Sequence, residues 1–490
     1  MEFFLNDKSK KKLELFKELI FNDGEKVSFT DLQRFLDISL STLKRYFNEL
    51  EADIKKNEKL KMIVFEKYSG GVQLNNHSDF KLDYLVVTLR LHYLNDSLQF
   101  KIISTILSKS YLTADELADD LFVSIPYLYK QINALNIQLE SFHIKLVFHS
   151  NENLCGEEKH LRMFCFYFYW NAYRGIIVPF ESELSCVFTC PDLIESLEKR
   201  YSASVIKRIK LMLGITIMRQ HNYPIYLPVE IKNILKPFEK TTEISKLVKR
   251  YFISEDEHLF FNLMLRSFIS DIDSPKEKIM LFDKFPRSSS LVLSSELLIN
   301  EYEKEFFPIT LMTTKEKTSI FYYLLIGLVY CTFFEINPMY FFRQIMISEQ
   351  GNTEFFKKYL KKHPKIYRFY KKFRKNHPVF TLDSSFNFGL CMLLSILTDM
   401  FLNSQINIYI QYSSNNFGSI FIKNKLLTIF NPKSINFTKD IDEADIAIVD
   451  NFEKHKEKEN QTFFFVNSFL DERMWLELNT VIQQRLLKHE

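Results

Sequence analysis

The stretch "FLDISLSTLKRYFNELEADI" (Phe35 to Ile54) returns in altered form eighty-five residues later as "DLFVSIPYLYKQINALNIQL" (Asp120 to Leu139). At that offset Leu36 aligns with Leu121, Ile38 with Val123, Ser39 with Ser124, Leu43 with Leu128, Asn48 with Asn133 and Leu50 with Leu135. In the first repeat Leu40, Leu43, Phe47, Leu50 and Ile54 recur at gaps of three and four, the spacing of one helix face. Ser41, Lys44, Arg45 and Asn48 fall on the opposite face. Ser39 stands where an N-cap belongs, because its hydroxyl can accept from a backbone N–H that the first helical turn leaves unpaired.

Upstream, "SFTDLQRFL" (Ser28 to Leu36) predicts a shorter helix with Leu32, Phe35 and Leu36 turned inward. The "DIS" between the two is a three-residue turn, which makes a helix-turn-helix. "KKKLELFKELIF" (Lys10 to Phe21) supplies a packing helix, and "KMIVFEKYSGGVQLN" (Lys61 to Asn75) reads as a hairpin about its glycines. The second repeat keeps this plan. "QFKIISTILSK" is its packing helix and "TADELADDL" its support helix, with Thr113 as N-cap and Glu116 at capping-box spacing. "SIPYLYKQINALNIQLESF" follows, with Pro126 in its first turn, where a missing N–H costs little. "HIKLVFHSNENLCG" is a second hairpin.

Each repeat therefore predicts a winged helix-turn-helix whose second helix offers its leading end to the major groove of double-stranded DNA. The candidate contacts in the first are Ser39, Ser41, Thr42, Lys44, Arg45 and Asn48. Hydroxyls at a helix N-terminus suit phosphate, and Lys or Arg suits phosphate or guanine edges. In the second they are Tyr127, Tyr129, Lys130 and Gln131, with Asn133 beside them. Asp115, Glu116, Asp119 and Asp120 crowd the second support helix, so the first repeat is expected to read bases and the second to lengthen the footprint.

The totals suit a soluble globular chain of several domains. It has 490 residues, 46% hydrophobic and 26% charged, with a net charge of +3, which neither demands nor excludes a polyanionic partner. Six cysteines, Cys155, Cys165, Cys186, Cys190, Cys331 and Cys391, form no CxxC and no zinc-ligand spacing with His, so reduced thiols are expected and no metal or cofactor. The N-terminus lacks an apolar signal core. The strongest apolar run, Ile320 to Phe334, has 15 residues where a bilayer span needs about 20. It is expected to be a buried helix, with no membrane partner.

From about Glu157 to Asn403 the chain reads as successive helices, broken at "NYPIYLP", "DKFPRSSS" and "NHPVFTLDSS". The tail alternates "INIYIQY", "NNFGSIFIKNKLLTIF", "SINFTK", "EADIAIVD", "QTFFFVNS" and "DERMWLELNTVIQQRLL", which predicts a small α/β unit with a mainly parallel sheet. The expected fold class is thus multidomain and mainly α. It comprises winged helix-turn-helix domains at 1–78 and 79–157, all-α domains at 158–286 and 287–403, and a C-terminal α/β domain at 404–490.

The duplicated helix-turn-helix, the "LCGEEKHLRMF" junction (Leu154 to Phe164) and the α/β tail, in that order, resemble the Mga/AtxA-like transcription regulators of Gram-positive bacteria. The resemblance covers essentially the whole chain. It implies a cytoplasmic, dimeric, non-enzymatic DNA-binding regulator. The two all-α domains would be regulation domains of the sugar phosphotransferase system (PTS) type, and the tail would be similar to its enzyme IIB. It also implies sensing by histidine phosphorylation from PTS phosphocarrier proteins. The usual histidine places hold Met212 and Met264, which leaves nearby His221 and His258 as candidate acceptors. The loop after the first tail strand, "QYSSNNFG", has no cysteine nucleophile, so a structural or dimerising tail is expected instead of phosphoryl transfer. From Lys357 to His377 eight Lys and two Arg occur without an acid, a stretch suited to an anionic partner or to a solvated face. A phosphoacceptor or an interaction scaffold that reads no DNA is the alternative. An RNA-binding antiterminator would begin with a small β-domain.

Overall fold

The computed structural model describes residues 4–148, 152–180, 184–241, 243–269, 272–306, 312–335, 364–377, 390–391, 394–395, 406–413, 417–432, 434–450, 461–466, 468 and 470–488. The chain forms two compact units, residues 1–286 with 326–336, and residues 287–325 with 337–490.

The first unit opens with α1 (Asp7–Phe21), β1 (Lys26–Ser28), α2 (Phe29–Leu36), α3 (Leu40–Lys56), β2 (Ile63–Tyr68) and β3 (Gly71–Asn76). The three strands pair antiparallel in the order β1-β3-β2, with Val27 opposite Val72 and Phe65 opposite Leu74. Gly71 is required there, since a Cβ would lie 2.3 Å from the Val27 carbonyl oxygen. Leu13, Phe16, Leu32, Leu36, Leu43, Phe47, Leu50 and Leu74 fill the core. Two sequence expectations need correction: Phe35 is 57% and Leu40 42% exposed. In so short a helix as α2 the i, i+4 pair Leu32 and Leu36 takes the inward stripe, and Phe35 is turned off it. Leu40 lies in the first turn of α3, which projects beyond the core.

Next comes α4 (Leu82–Asp96), which the sequence reading did not foresee. Its buried residues, Leu85, Val86, Leu89, Leu91, Tyr93 and Leu94, occupy most of its circumference, so no single-face period marks it. A small ionic cluster fixes it to the first repeat. Lys12 Nζ lies 2.5 Å from the Asp53 carboxylate and 4.6 Å from the Tyr93 ring centre. The Tyr93 hydroxyl donates to the same carboxylate at 3.0 Å. Burial, with Asp53 and then Glu49 adding negative charge, pushes the Tyr93 phenol far above its usual range.

The second repeat follows as α5 (Leu98–Ser108), α6 (Ala114–Asp120), α7 (Ile125–Leu139), β4 (Ile144–Leu146) and β5 (Leu154–Gly156), with the two strands antiparallel. Thr113 caps α6 by accepting from Glu116 N–H, while the Glu116 carboxylate reaches back to Leu112 N–H, one residue beyond the capping-box position.

The rest of this unit is helical: α8 (Glu158–Tyr173), α9 (Ser185–Phe188), α10 (Pro191–Glu198), α11 (Ala203–Gln220), α12 (Val229–Thr241), α13 (Glu243–Val248), α14 (Glu255–Phe268) and α15 (Pro275–Phe282). An ionic chain, buried at Arg162 and Glu257 and partly exposed at its other end, binds the second hairpin to this bundle. Arg162 is 1% exposed and holds Glu257 through two nitrogens, at 2.5 and 3.0 Å. Its Nε donates to Glu158, which also accepts from Arg219, and Arg219 in turn donates to Glu152 beside β5. Met212 and Met264 are both buried here.

The second unit contains α16 (Ser290–Phe306), the start of α17 (Thr314–Phe334) and α18 (Pro364–Asn376). By length and composition α17 could cross a membrane, yet 72% of its most apolar window is buried, as the buried-helix expectation requires. The last residues of α17 belong to the first unit. There the Phe334 and Glu335 carbonyls meet His160 Nε2 at 2.7 Å and His143 Nε2 at 3.0 Å. The tail forms β6 (Ile406–Gln411), α19 (Gly418–Ile429), β7 (Ile435–Thr438), β8 (Ile446–Val449), β9 (Thr462–Phe465) and α20 (Glu472–Lys488). All strand pairs are parallel, in the order β7-β6-β8-β9. Ile406, Ile408, Ile446 and Ile448 pack under Ile422 and Leu426 of α19 and Trp475, Leu478 and Ile482 of α20.

Candidate nucleic-acid interface

The repeat extends to backbone conformation. Between α2 and α3 the chain turns through Asp37 at φ +49°, and between α6 and α7 through Phe122 at φ +55°. In both turns the next residue donates back across the helix end, Ile38 N–H to Gln33 O and Val123 N–H to Ala118 O. This is a left-handed helix cap of Schellman form, reached once with Asp and once with Phe.

From these turns the second helices emerge with exposed leading ends. Ser39 caps α3 by accepting from Thr42 N–H at 3.3 Å, and its hydroxyl also contacts those of Ser41 and Thr42. Ser41, Lys44, Arg45 and Asn48 are exposed and Thr42 is half-buried. Lys44 has no carboxylate partner among the described residues, and Arg45 lies over the Tyr46 ring at 5.3 Å. Lys67 of the hairpin donates to Asn48 at 3.4 Å and Glu51 at 3.1 Å, which ties the hairpin to α3. Lys55, then Lys67, hold the Glu51 carboxyl below its usual range against its partial burial.

The end of α7 is built of different chemistry. Pro126, Lys130 and Asn133 lie along its exposed face at helical spacing, with Tyr129 on one side and Tyr127 on the other. Tyr127 and Tyr129 are each 48% exposed, Ile125 41% and Phe122 94%. Gln131 is half-buried and accepts from Gln99 at 3.0 Å. Asp115, Glu116 and Asp119 are exposed on α6, while Asp120 is held below its usual range first by Lys109 and then by Tyr111. Phe122 and Ile125 were not singled out from sequence; the alignment of Phe122 with Asp37, in a turn that cannot bury it, was the available signal.

The two histidines differ. His221 is exposed at the C-terminal end of α11. His258 is buried: Nδ1 lies 2.7 Å from Glu239, and Nε2 lies 2.8 Å from the Ser245 carbonyl and 2.9 Å from its hydroxyl. Burial outweighs the Glu239 charge and depresses its pKa. Of the basic stretch, Lys357 to His363 lies outside the described residues. In α18, Ile366, Tyr370 and Phe373 are buried while Lys365, Arg368, Lys371, Lys372 and Lys375 face solvent. After β6, the Asp450 carboxylate accepts from Ser413 N–H at 2.8 Å and from its hydroxyl at 2.9 Å.

Residues 84–169 match the Mga helix-turn-helix domain. The matched segment starts in α4 and ends in α8, so it encloses the whole second repeat. The match supports the Mga-like regulator family, and it suggests a DNA-binding transcriptional regulator. Comparison with curated proteins finds no match.

Proposed function

We propose that this chain is a cytoplasmic transcription regulator that grips duplex DNA with two winged helix-turn-helix domains, residues 1–78 and 79–157. The observation that carries the reading is the doubled construction: two helices with matching left-handed turns, each with its leading end exposed. The first supplies cations, Lys44 and Arg45, with Ser41, Thr42 and Asn48 at hand; the second adds Tyr127, Tyr129 and Lys130. Ser39 and Gln131 serve mainly by holding geometry, since their polar atoms are already engaged.

In the same reading the all-α domains, 158–286 and 287–403, receive a signal from PTS phosphocarriers, with His221 the accessible acceptor. His258 would have to leave its Glu239 and Ser245 partners before phosphorylation. The tail, 404–490, is a dimerisation element. Phe417 at the start of α19, Ile420 and Phe421 within it and Leu476 of α20 are exposed and apolar, as a self-association surface requires. Its loop lacks a cysteine, and an internal carboxylate occupies the Ser413 amide, which argues against phosphoryl transfer there. Binding of the full chain to promoter DNA across a salt series tests the proposal. Each phosphate contact should add about 0.9 to the log–log slope, and an affinity indifferent to salt overturns DNA binding.

A further inference from the structure

The leading end of α7 exposes apolar surface where α3 exposes charge. Lys44 of α3 corresponds to Tyr129, Thr42 to Tyr127, Leu40 to Ile125, and Asp37 to Phe122. Phe122 is 94% exposed, more than any other large apolar residue described, and it sits two residues before the Ser124 cap. Lys130 is the one cation in this cluster, and α6 beside it presents four exposed carboxylates, Asp115, Glu116, Asp119 and Asp120, the last paired with Lys109. Such an end gains little from phosphate. The major groove offers one apolar feature, the 5-methyl group of thymine, and apolar side chains are its complement.

We propose that the second repeat reads thymine methyl groups in the major groove, with Phe122 as the principal contact and Ile125, Tyr127 and Tyr129 around it. The inference rests on the DNA-binding reading above and names what the second domain recognises: A·T-rich duplex, selected by its methyls. The first repeat then supplies most of the salt-dependent affinity, and the second supplies discrimination that salt hardly alters. Duplex DNA is favoured as occupant because this is the segment that matches a helix-turn-helix domain, and because its end is equivalent, residue by residue, to the cationic end of α3.

The test uses the full chain and a duplex selected for binding from a random-sequence pool. That duplex is then resynthesised with deoxyuridine for every thymidine, which removes the methyls and leaves the hydrogen-bonding edges. The wild-type chain should bind the uracil duplex about tenfold more weakly. Phe122→Asn, which suits the left-handed turn, should bind the thymine duplex more weakly and lose most of the thymine/uracil difference. Equal affinity of the wild type for both duplexes overturns the methyl reading while DNA binding stands. Discrimination that persists undiminished in Phe122→Asn overturns the role of Phe122 as the principal contact. Failure to select any duplex overturns the DNA-binding reading and this inference with it. A full thymine preference at raised salt, where Lys44 and Arg45 contribute least, supports the division of labour between the repeats.

Discussion

Asp37 and Phe122 hold the same left-handed backbone conformation, φ +49° and +55°, at equivalent points of the two repeats. Asp tolerates this region because its short polar side chain bonds locally; Phe does not, and a non-glycine residue there costs about 1–2 kcal/mol. Phe122→Gly should therefore raise the stability of the chain by up to about 1 kcal/mol, read from urea unfolding, while weakening DNA binding. Asp37→Val should lower stability by about 1–2 kcal/mol. If Phe122→Gly destabilises the fold, the exposed ring has a packing role that its exposure denies.

Lys44 and Arg45 reach solvent from α3 without carboxylate partners among the described residues. Changing both to Ala should weaken binding to any duplex by a similar factor and flatten the salt slope by about two. Stability should move by no more than about 0.5 kcal/mol, because both side chains lie on an open surface. A titration of the double variant over salt, beside its urea curve, checks both statements.

Arg162 and Glu257 form a buried pair in which neither charge can be abandoned alone. Arg162→Met leaves Glu257, which is fully buried, without its cation and should cost about 3–5 kcal/mol. Adding Glu257→Gln should recover much of that loss, since the uncompensated charge is then gone. Equal unfolding midpoints for the single and double variants would show that the pair matters only as packing.

Acid should loosen the first unit. His160 is held below its ordinary value of 6.5, chiefly by burial, and its Nδ1 has no hydrogen-bond partner among the described residues. His258 is shifted the same way. A histidine held neutral by the fold contributes fully above the unfolded value. As pH falls through 6.5 the unfolded chain takes up the proton first, and stability drops until the lower folded value is reached. Unfolding free energy should therefore fall as the pH drops below about 6.5, by at most about 1.4 kcal/mol per pH unit for each histidine. His160→Gln should flatten that fall, and an unchanged pH profile in this variant would exclude His160 as a contributor.

Much of this architecture could be read from residue spacing, because helix faces and alternating strands leave their period in the chain. The buried stripe Leu43, Phe47, Leu50 and Ile54 was legible, as were the Ser39 and Thr113 caps and the parallel tail. Helix α4 was not, because a helix buried on several sides loses the contrast that marks one. Nor were the pairings Lys12–Asp53 and Arg162–Glu257, which join residues 41 and 95 positions apart. Charges look solvated in sequence until the fold brings their partners. Leu40 and Phe35 fitted the apolar pattern yet lie outside, since a period fixes a stripe's direction and not where the core ends. Phe122 was hidden for the opposite reason: an aromatic residue beside a helix is read as core unless its turn forbids burial.

The cluster of Lys12, Asp53 and Tyr93 has a consequence for any operator. It clamps the first repeat to the helix that leads into the second. In the proposed DNA complex the protein therefore sets the distance and rotation between its two grips, and the duplex must supply the matching phase. Inserting half a helical turn between the two contact sites should abolish joint engagement, whereas a whole turn restores the angle but not the span.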